Sequence, residues 1–79
     1  MEETQLSNKS QEAVYRHASG FIETARSEAR WLALCLAEVE ACEVADGVAK
    51  ATGDAEAGAE AGIYAFDMLR AVVEGDENV

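Results

Sequence analysis

The chain has 79 residues, of which 16 are acidic and 6 are Lys or Arg, and its formal net charge is −10. A sequence pI of about 4.3 argues against phosphate-mediated nucleic-acid binding and against attraction to an anionic membrane, because both require basic surface. The longest apolar run, 31–37, is far shorter than the roughly 20 residues of a transmembrane helix. We therefore expect one small cytoplasmic domain that binds neither nucleic acid nor membrane directly.

The first predicted helix covers about residues 8–51, after an N-terminal segment, 1–6, that we expect to be disordered. The heptad spacing stays in phase through Gly20, so we predict a single helix kinked there, with a break into a short first helix as the alternative. Apolar residues recur at the alternating intervals of three and four that are typical of packed helices: Tyr15, Ala18, Ile22, Ala25, Ala29, Leu32, Leu36 and Val39.

The second predicted helix covers about residues 54–74. Two sites compete as the end of the first helix, the Asp-Gly pair at 46–47 and Gly53. Gly53 fits better, because Lys50 precedes it in the last turn and glycine is favoured just past a helix end. Asp54 then caps the second helix.

Residues 7–75 are thus predicted to form one antiparallel two-helix hairpin, followed by an acidic tail, 76–79. Gly58 and Gly62 place small residues four positions apart in the second helix. Such a pair lets a neighbouring backbone approach closely, so we expect the hairpin to be narrow near its loop.

The first helix is apolar nearly all round at 31–37, and such a helix must be buried on more than one side. A single hairpin offers too little cover, so we predict that two copies pair into an antiparallel four-helix-bundle homodimer. The candidate residues for self-association and apolar packing are the large apolar side chains of the two helices: Phe21, Trp31, Leu32, Leu34, Leu36, Tyr64, Phe66, Met68 and Leu69.

Negative charge is concentrated in the second part of the chain. Residues 1–34 carry a net charge of −1, whereas residues 35–79 carry −9. The predicted hairpin brings many of these acids to its loop end. There they either form a hydrated surface that keeps the protein soluble or contact a basic partner. The candidate partner-binding acids are Glu38, Glu40, Glu43, Asp46, Asp54, Glu56 and Glu60.

No residue pattern indicates catalysis, a metal or a cofactor. His17 is the single imidazole, and neither a Glu-x-x-His pair nor a glycine-rich phosphate loop is present. Cys35 and Cys42 lie about 10.5 Å apart along a helix axis, too far for an intrachain disulfide, so we interpret them as small buried apolar residues. We predict that the chain is not an enzyme.

In size, charge and predicted hairpin (15–39 with 55–73), the chain resembles the small host-takeover proteins of phages and prophages. These include anti-CRISPR proteins and a helical-hairpin anti-activator of quorum sensing. The resemblance implies an inhibitor that binds and blocks a host protein, such as a nucleic-acid-handling or defence protein. It would act through its acidic surface or by invading a helical interface of that partner.

A second resemblance favours a different function. Residues 66–72, Phe-Asp-Met-Leu-Arg-Ala-Val, are similar to the last helix of phage proteins that sequester cyclic nucleotide signals. An oligomeric protein that sequesters a small nucleotide ligand is therefore the alternative, and a structural subunit of a larger assembly is a third hypothesis.

Overall fold

A computed structural model describes residues 2–77, and it describes side chains for residues 5–75. Three helices follow one another in chain order: α1 (Glu2–Glu23), α2 (Glu28–Thr52) and α3 (Ala55–Glu77). Throughout the described residues the fold is all-α, which confirms the predicted class. The prediction of a two-helix hairpin was wrong, because the chain forms three helices. An assembly of two copies would therefore contain six helices, not the four of the predicted bundle.

The predicted long first helix is interrupted at residues 24–27, and Gly20 lies inside α1. Ser27 is the N-cap of α2: its backbone is extended, and its hydroxyl accepts a hydrogen bond from the Arg30 amide at 3.1 Å. On the other side of the break, the Thr24 hydroxyl donates to the carbonyl of Phe21 at 3.1 Å. These local hydrogen bonds satisfy backbone groups that a continuous helix would have used, and they prevail over the heptad spacing.

The connection between α2 and α3 agrees with the prediction. Gly53 has a left-handed backbone, with φ of 70°, and its amide donates to the Ala49 carbonyl at 2.8 Å. The Asp54 carboxylate accepts a hydrogen bond from the Glu56 amide at 2.9 Å, as an N-cap does. Gly53 is therefore confirmed as the end of α2, and Gly47 lies inside that helix.

The outer ends of the bundle differ from the predictions. Helix α1 begins at Glu2, within the segment predicted to be disordered, and Met1 lies outside the described residues. Helix α3 continues through Gly75 to Glu77, whereas the prediction ended it at Gly75. The last two residues of the predicted acidic tail, 78–79, lie outside the described residues.

Helix α1 packs against both other helices, antiparallel to α2 and parallel to α3. Near its start, the Ser7 hydroxyl donates to Asp46 of α2, and the Ser10 hydroxyl donates to the Ala55 carbonyl of α3 at 2.6 Å. Near its end, His17 contacts Asp67 of α3 at 2.7 Å. The α2–α3 hairpin therefore has one side covered by α1.

The core is built mainly from small side chains. Helix α2 buries residues at helical spacing, and four of these five are alanines: Leu34, Ala37, Ala41, Ala45 and Ala49. Val14 and Ala18 of α1 and Phe66 of α3 are also fully buried. Because alanines fill so little space, the helix axes must lie close together for this core to be well packed.

Gly58 and Gly62 lie in close contact with the neighbouring helices, as the small-residue pattern predicts. A methyl group built on Gly58 would lie 2.6 Å from the Ala45 carbonyl oxygen and 2.8 Å from the Ala49 side chain. A methyl group on Gly62 would overlap Val14 and would lie 2.9 Å from the Ala41 carbonyl oxygen. The backbone that approaches belongs to α2 of the same chain.

Candidate interaction surface

An apolar groove runs between α2 and α3, and all of its lining residues belong to these two helices. Its volume is about 240 Å³. Leu36 from α2 and Val72 from α3 are the most exposed of its large side chains, at 68% and 63%. Glu40 is the single charged side chain in the lining, which is otherwise aliphatic: Ala33, Leu36, Ala37, Leu69, Val72 and Val73.

Exposed apolar side chains continue from the groove along both helices. Leu32 and Val39 lie one helical turn on either side of Leu36 and are about half exposed. Met68 lies one turn before Val72 on α3 and is 56% exposed. This arrangement leaves part of the predicted heptad seam in solvent, because α2 buries its alanine positions instead.

The structure divides the predicted self-association residues into two groups. Leu34 and Phe66 are fully buried in the core of one chain, so their side chains are not exposed to a second copy. Phe21 is half-buried against that core. The other members of the set are at least one-third exposed: Trp31, Leu32, Leu36, Tyr64, Met68 and Leu69. Sequence reasoning missed Val72, although its spacing from Met68 indicates a shared side of α3.

The seven predicted partner-binding acids do not share one surface. Asp46 faces α1, where it accepts a hydrogen bond from Ser7 and lies 3.3 Å from Lys50. Glu38 is half-buried, and this burial raises the pKa of its carboxyl above the usual range. Glu40 lies in the α2–α3 groove. The remaining four are exposed: Glu43, Asp54, Glu56 and Glu60.

The two cysteines are free thiols and are half-buried. The Cys42 thiol lies 3.9 Å from the Gln11 carbonyl of α1. Burial, together with the negative charge of Glu38, raises the pKa of the Cys42 thiol, so the thiol is less reactive than an exposed cysteine. Cys42 thus belongs to the contact between α1 and α2, apart from the groove.

His17 contributes to the packing of α1 on α3. Its ring nitrogen Nε2 lies 2.7 Å from the Asp67 carboxylate. The ring also makes edge-on contacts with Phe21 and Phe66, at centroid distances of 5.4 and 5.8 Å. This histidine is half-buried and held between aromatic rings and a carboxylate, so the structure gives it a clear packing role.

Two arginine side chains, Arg30 and Arg70, extend the contact between α1 and α3 so that it also includes α2. The Arg70 guanidinium lies 4.2 Å from the centre of the Phe21 ring, a cation–π contact between α3 and α1. Arg70 and Arg30 both bind the Glu74 carboxylate, at 2.9 and 3.1 Å, so α2 is joined to α3. The spacing of Arg70 and Glu74 was readable from the sequence, but the contacts across helices were not.

We expect the contact between Ser7 and Asp46 to make stability depend on pH. The Ser7 hydrogen bond is the main cause of a lowered Asp46 pKa in the folded chain, with Lys50 also contributing. A lowered carboxyl pKa stabilises the fold above the unfolded value, about 3.9, and this contribution is lost as the pH falls through the folded pKa. Ser7→Ala should therefore lower the melting temperature near about pH 7 but have little effect near about pH 2.

Thermal unfolding of both proteins across this pH range measures the difference directly. All other titrating groups are shared, so they cancel in the comparison. An offset between the two melting temperatures that stays constant from neutral to acid pH would contradict the assignment to Asp46.

Within the described residues, no helix is long and apolar enough to cross a membrane. The same part of the chain contains no group of three or more His, Cys, Asp or Glu side chains that is arranged to hold a metal ion. The fold and the surface together define a small three-helix bundle with an exposed apolar groove. Comparison with family models, curated proteins and solved structures gave no match for this chain.

Proposed function

We propose that this chain is a non-enzymatic protein-interaction module, of the kind that phages use to bind and block a host protein. The observation that carries the proposal is the α2–α3 groove, where Leu36 and Val72 are more than 60% exposed. Each large apolar side chain left in water forgoes roughly 1.5–3 kcal/mol of burial free energy. A domain of this size has a total stability of only about 5–15 kcal/mol, so a binding role explains their exposure.

The groove favours invasion of a helical interface over contact by the acidic surface. Two parallel rows of aliphatic side chains, one from each helix, offer a binding site for an amphipathic helix of a partner. Glu40 at this site would favour a partner helix that carries Lys or Arg beside its apolar residues. The acids, in contrast, lie on several sides of the bundle, and Asp46 is already engaged by Ser7 and Lys50.

Sequestration of a nucleotide ligand remains the alternative and has less support. A phosphate group needs converging cations, and three of the arginines are engaged by carboxylates: Arg16 by Glu12, and Arg30 and Arg70 by Glu74. The groove itself contains no cation. Its aliphatic lining suits an apolar side chain better than a charged ligand.

Capture from a lysate of the host bacterium tests the proposed function. Immobilised wild-type protein should retain a partner, and Leu36→Glu should weaken that retention by about tenfold or more, because a charge would be buried against apolar surface. Tyr15→Glu is the matched control: Tyr15 is also a large exposed side chain, at 59%, but it lies on α1. Circular dichroism should show that both variants remain folded.

Salt separates the two modes of binding. Retention through the groove should persist between about 0.1 and 1 M salt, whereas contact by the acids should weaken steeply over that range. A partner that binds the Leu36→Glu variant as well as the wild type, but is lost from a Glu56→Gln/Glu60→Gln variant, would contradict the groove and favour the acidic surface.

A further inference from the structure

We infer that, in the free protein, the α2–α3 groove is covered by a second copy of the chain, related by a two-fold axis across the groove. The inference rests on the proposed function, because it assigns an occupant to the same surface when no partner is bound. In the absence of a partner, the groove of each copy would then be buried in the interface of a homodimer of two three-helix bundles.

The dimensions of the bundle are sufficient for such a dimer. The Cα atoms span 43 by 18 by 14 Å, so the largest side of the bundle has a projected area of about 770 Å². An interface of standard size takes roughly 800 Å² from each partner. One side of the bundle is therefore about large enough, and the groove with the exposed apolar side chains beside it, Leu32, Val39 and Met68, would form the centre of such an interface.

The surface is also suited to pairing with itself. A two-fold interface brings the same residues together from both copies, so it needs a surface without many charges of one sign. Glu40 is the single charged residue in the groove lining. The lining combines the small Ala33 and Ala37 with the larger Leu36 and Val72, so it offers both gaps and protruding side chains to a second copy.

The distribution of charge selects an antiparallel arrangement. Each copy carries −10, and five of its acids lie between residues 43 and 60, on the α2–α3 loop side of the groove. The groove lies towards the opposite end, around Leu36 and Leu69. A two-fold axis through the groove, perpendicular to the helices, points the two acidic loop ends away from each other and reduces their repulsion.

Sedimentation over a range of concentrations tests the dimer. The wild type should have about twice the chain mass of 8.4 kDa and should dissociate on dilution. Leu36→Glu and Val72→Glu should each raise the dissociation constant by about 30-fold or more, while Tyr15→Glu should leave it unchanged. Added salt should strengthen the dimer, because it screens the repulsion between two acidic chains.

Distance measurement between spin labels tests the arrangement. A label at Ala51→Cys, in a Cys35→Ala/Cys42→Ala background, lies about 22 Å along α2 from Leu36. In an antiparallel dimer the two labels should therefore be roughly 45 Å apart, whereas a parallel dimer would place them within about 20 Å.

Each result bears on a separate statement. A wild type that stays monomeric at the highest concentration, or a dimer that Tyr15→Glu disrupts as strongly as Leu36→Glu, overturns the inference. A short distance between the labels overturns the antiparallel arrangement. If the protein is monomeric but still captures a partner through Leu36, the inference of a dimer fails and the proposed function stands. If the protein dimerises but captures no partner through Leu36, the proposed function fails and the dimer stands.

Discussion

Replacing Phe66 with alanine is expected to lower the free energy of unfolding by about 3–5 kcal/mol. Phe66 is the largest fully buried side chain of the described residues, and its ring contacts both His17 and Phe21. The other core residues are mostly alanines, which are too small to fill the cavity that the substitution leaves. The loss is a large fraction of the total stability of such a domain, so the variant should be partly unfolded at 37 °C or below.

Urea unfolding followed by circular dichroism measures this loss. Tyr15→Ala is the matched control, because it removes an aromatic ring that is 59% exposed and should change stability by less than about 0.5 kcal/mol. Both variants are compared at one protein concentration, because any self-association would add to the apparent stability. Equal effects of the two substitutions would contradict the burial of Phe66 within its own chain.

Substituting alanine for Gly62 or Gly58 is expected to destabilise the bundle by about 1–3 kcal/mol per site. The new methyl group would lie 2.8 Å from the Ala45 side chain in the first case and from the Ala49 side chain in the second. Both positions also meet a backbone carbonyl of α2, which cannot move without shifting the helix. This steric cost exceeds the gain of up to about 1 kcal/mol that alanine normally brings to a helix.

Gly47→Ala is the control for this pair. Gly47 also lies inside a helix, but a methyl group there meets nothing within 4 Å. The substitution should therefore stabilise the protein by about 0.5–1 kcal/mol, because alanine loses less backbone conformational entropy than glycine when the chain folds. Thermal or urea unfolding of the three variants gives the sign of each effect. Stabilisation by Gly62→Ala would show that the helices are farther apart than described.

The sequence predicted those parts of the fold that depend on strong local signals. Gly53 and Asp54 mark the α2–α3 connection because each supplies a backbone hydrogen bond within a few residues. Gly58 and Gly62 indicate close helix contact for a similar reason. Ser27 is an equally local signal, but the unbroken heptad spacing around it favoured a single helix, and the third helix was missed as a result.

The distribution of apolar residues between core and surface was harder to predict. The spacing of Leu32, Leu36 and Val39 is that of a buried seam, yet α2 buries Ala37, Ala41 and Ala45 instead. An alanine ridge carries a weak hydrophobic signal, and its burial depends on glycines in another helix. Which of two apolar sides faces inward is therefore decided by contacts between helices, and a single-helix pattern does not contain them.

The prediction of where the candidate acids lie was limited by the same lack of information on contacts between helices. Grouping Glu38 with Glu43 and Glu60 assumed that one end of a hairpin brings them together. Which of these acids are exposed depends on where α1 packs, and the predicted hairpin contained no third helix. Contacts such as Ser7 with Asp46 join residues far apart in the chain, and no spacing rule indicates them.

The narrow alanine–glycine half of the bundle has a consequence for engineering this protein. Any enlargement at Gly58, Gly62 or the alanines that face them pushes a helix outward, so randomised libraries at these positions should yield few folded members. Leu36, Met68 and Val72 lie outside that constraint. A new binding specificity can therefore be selected on those three positions while the scaffold beneath them is held constant.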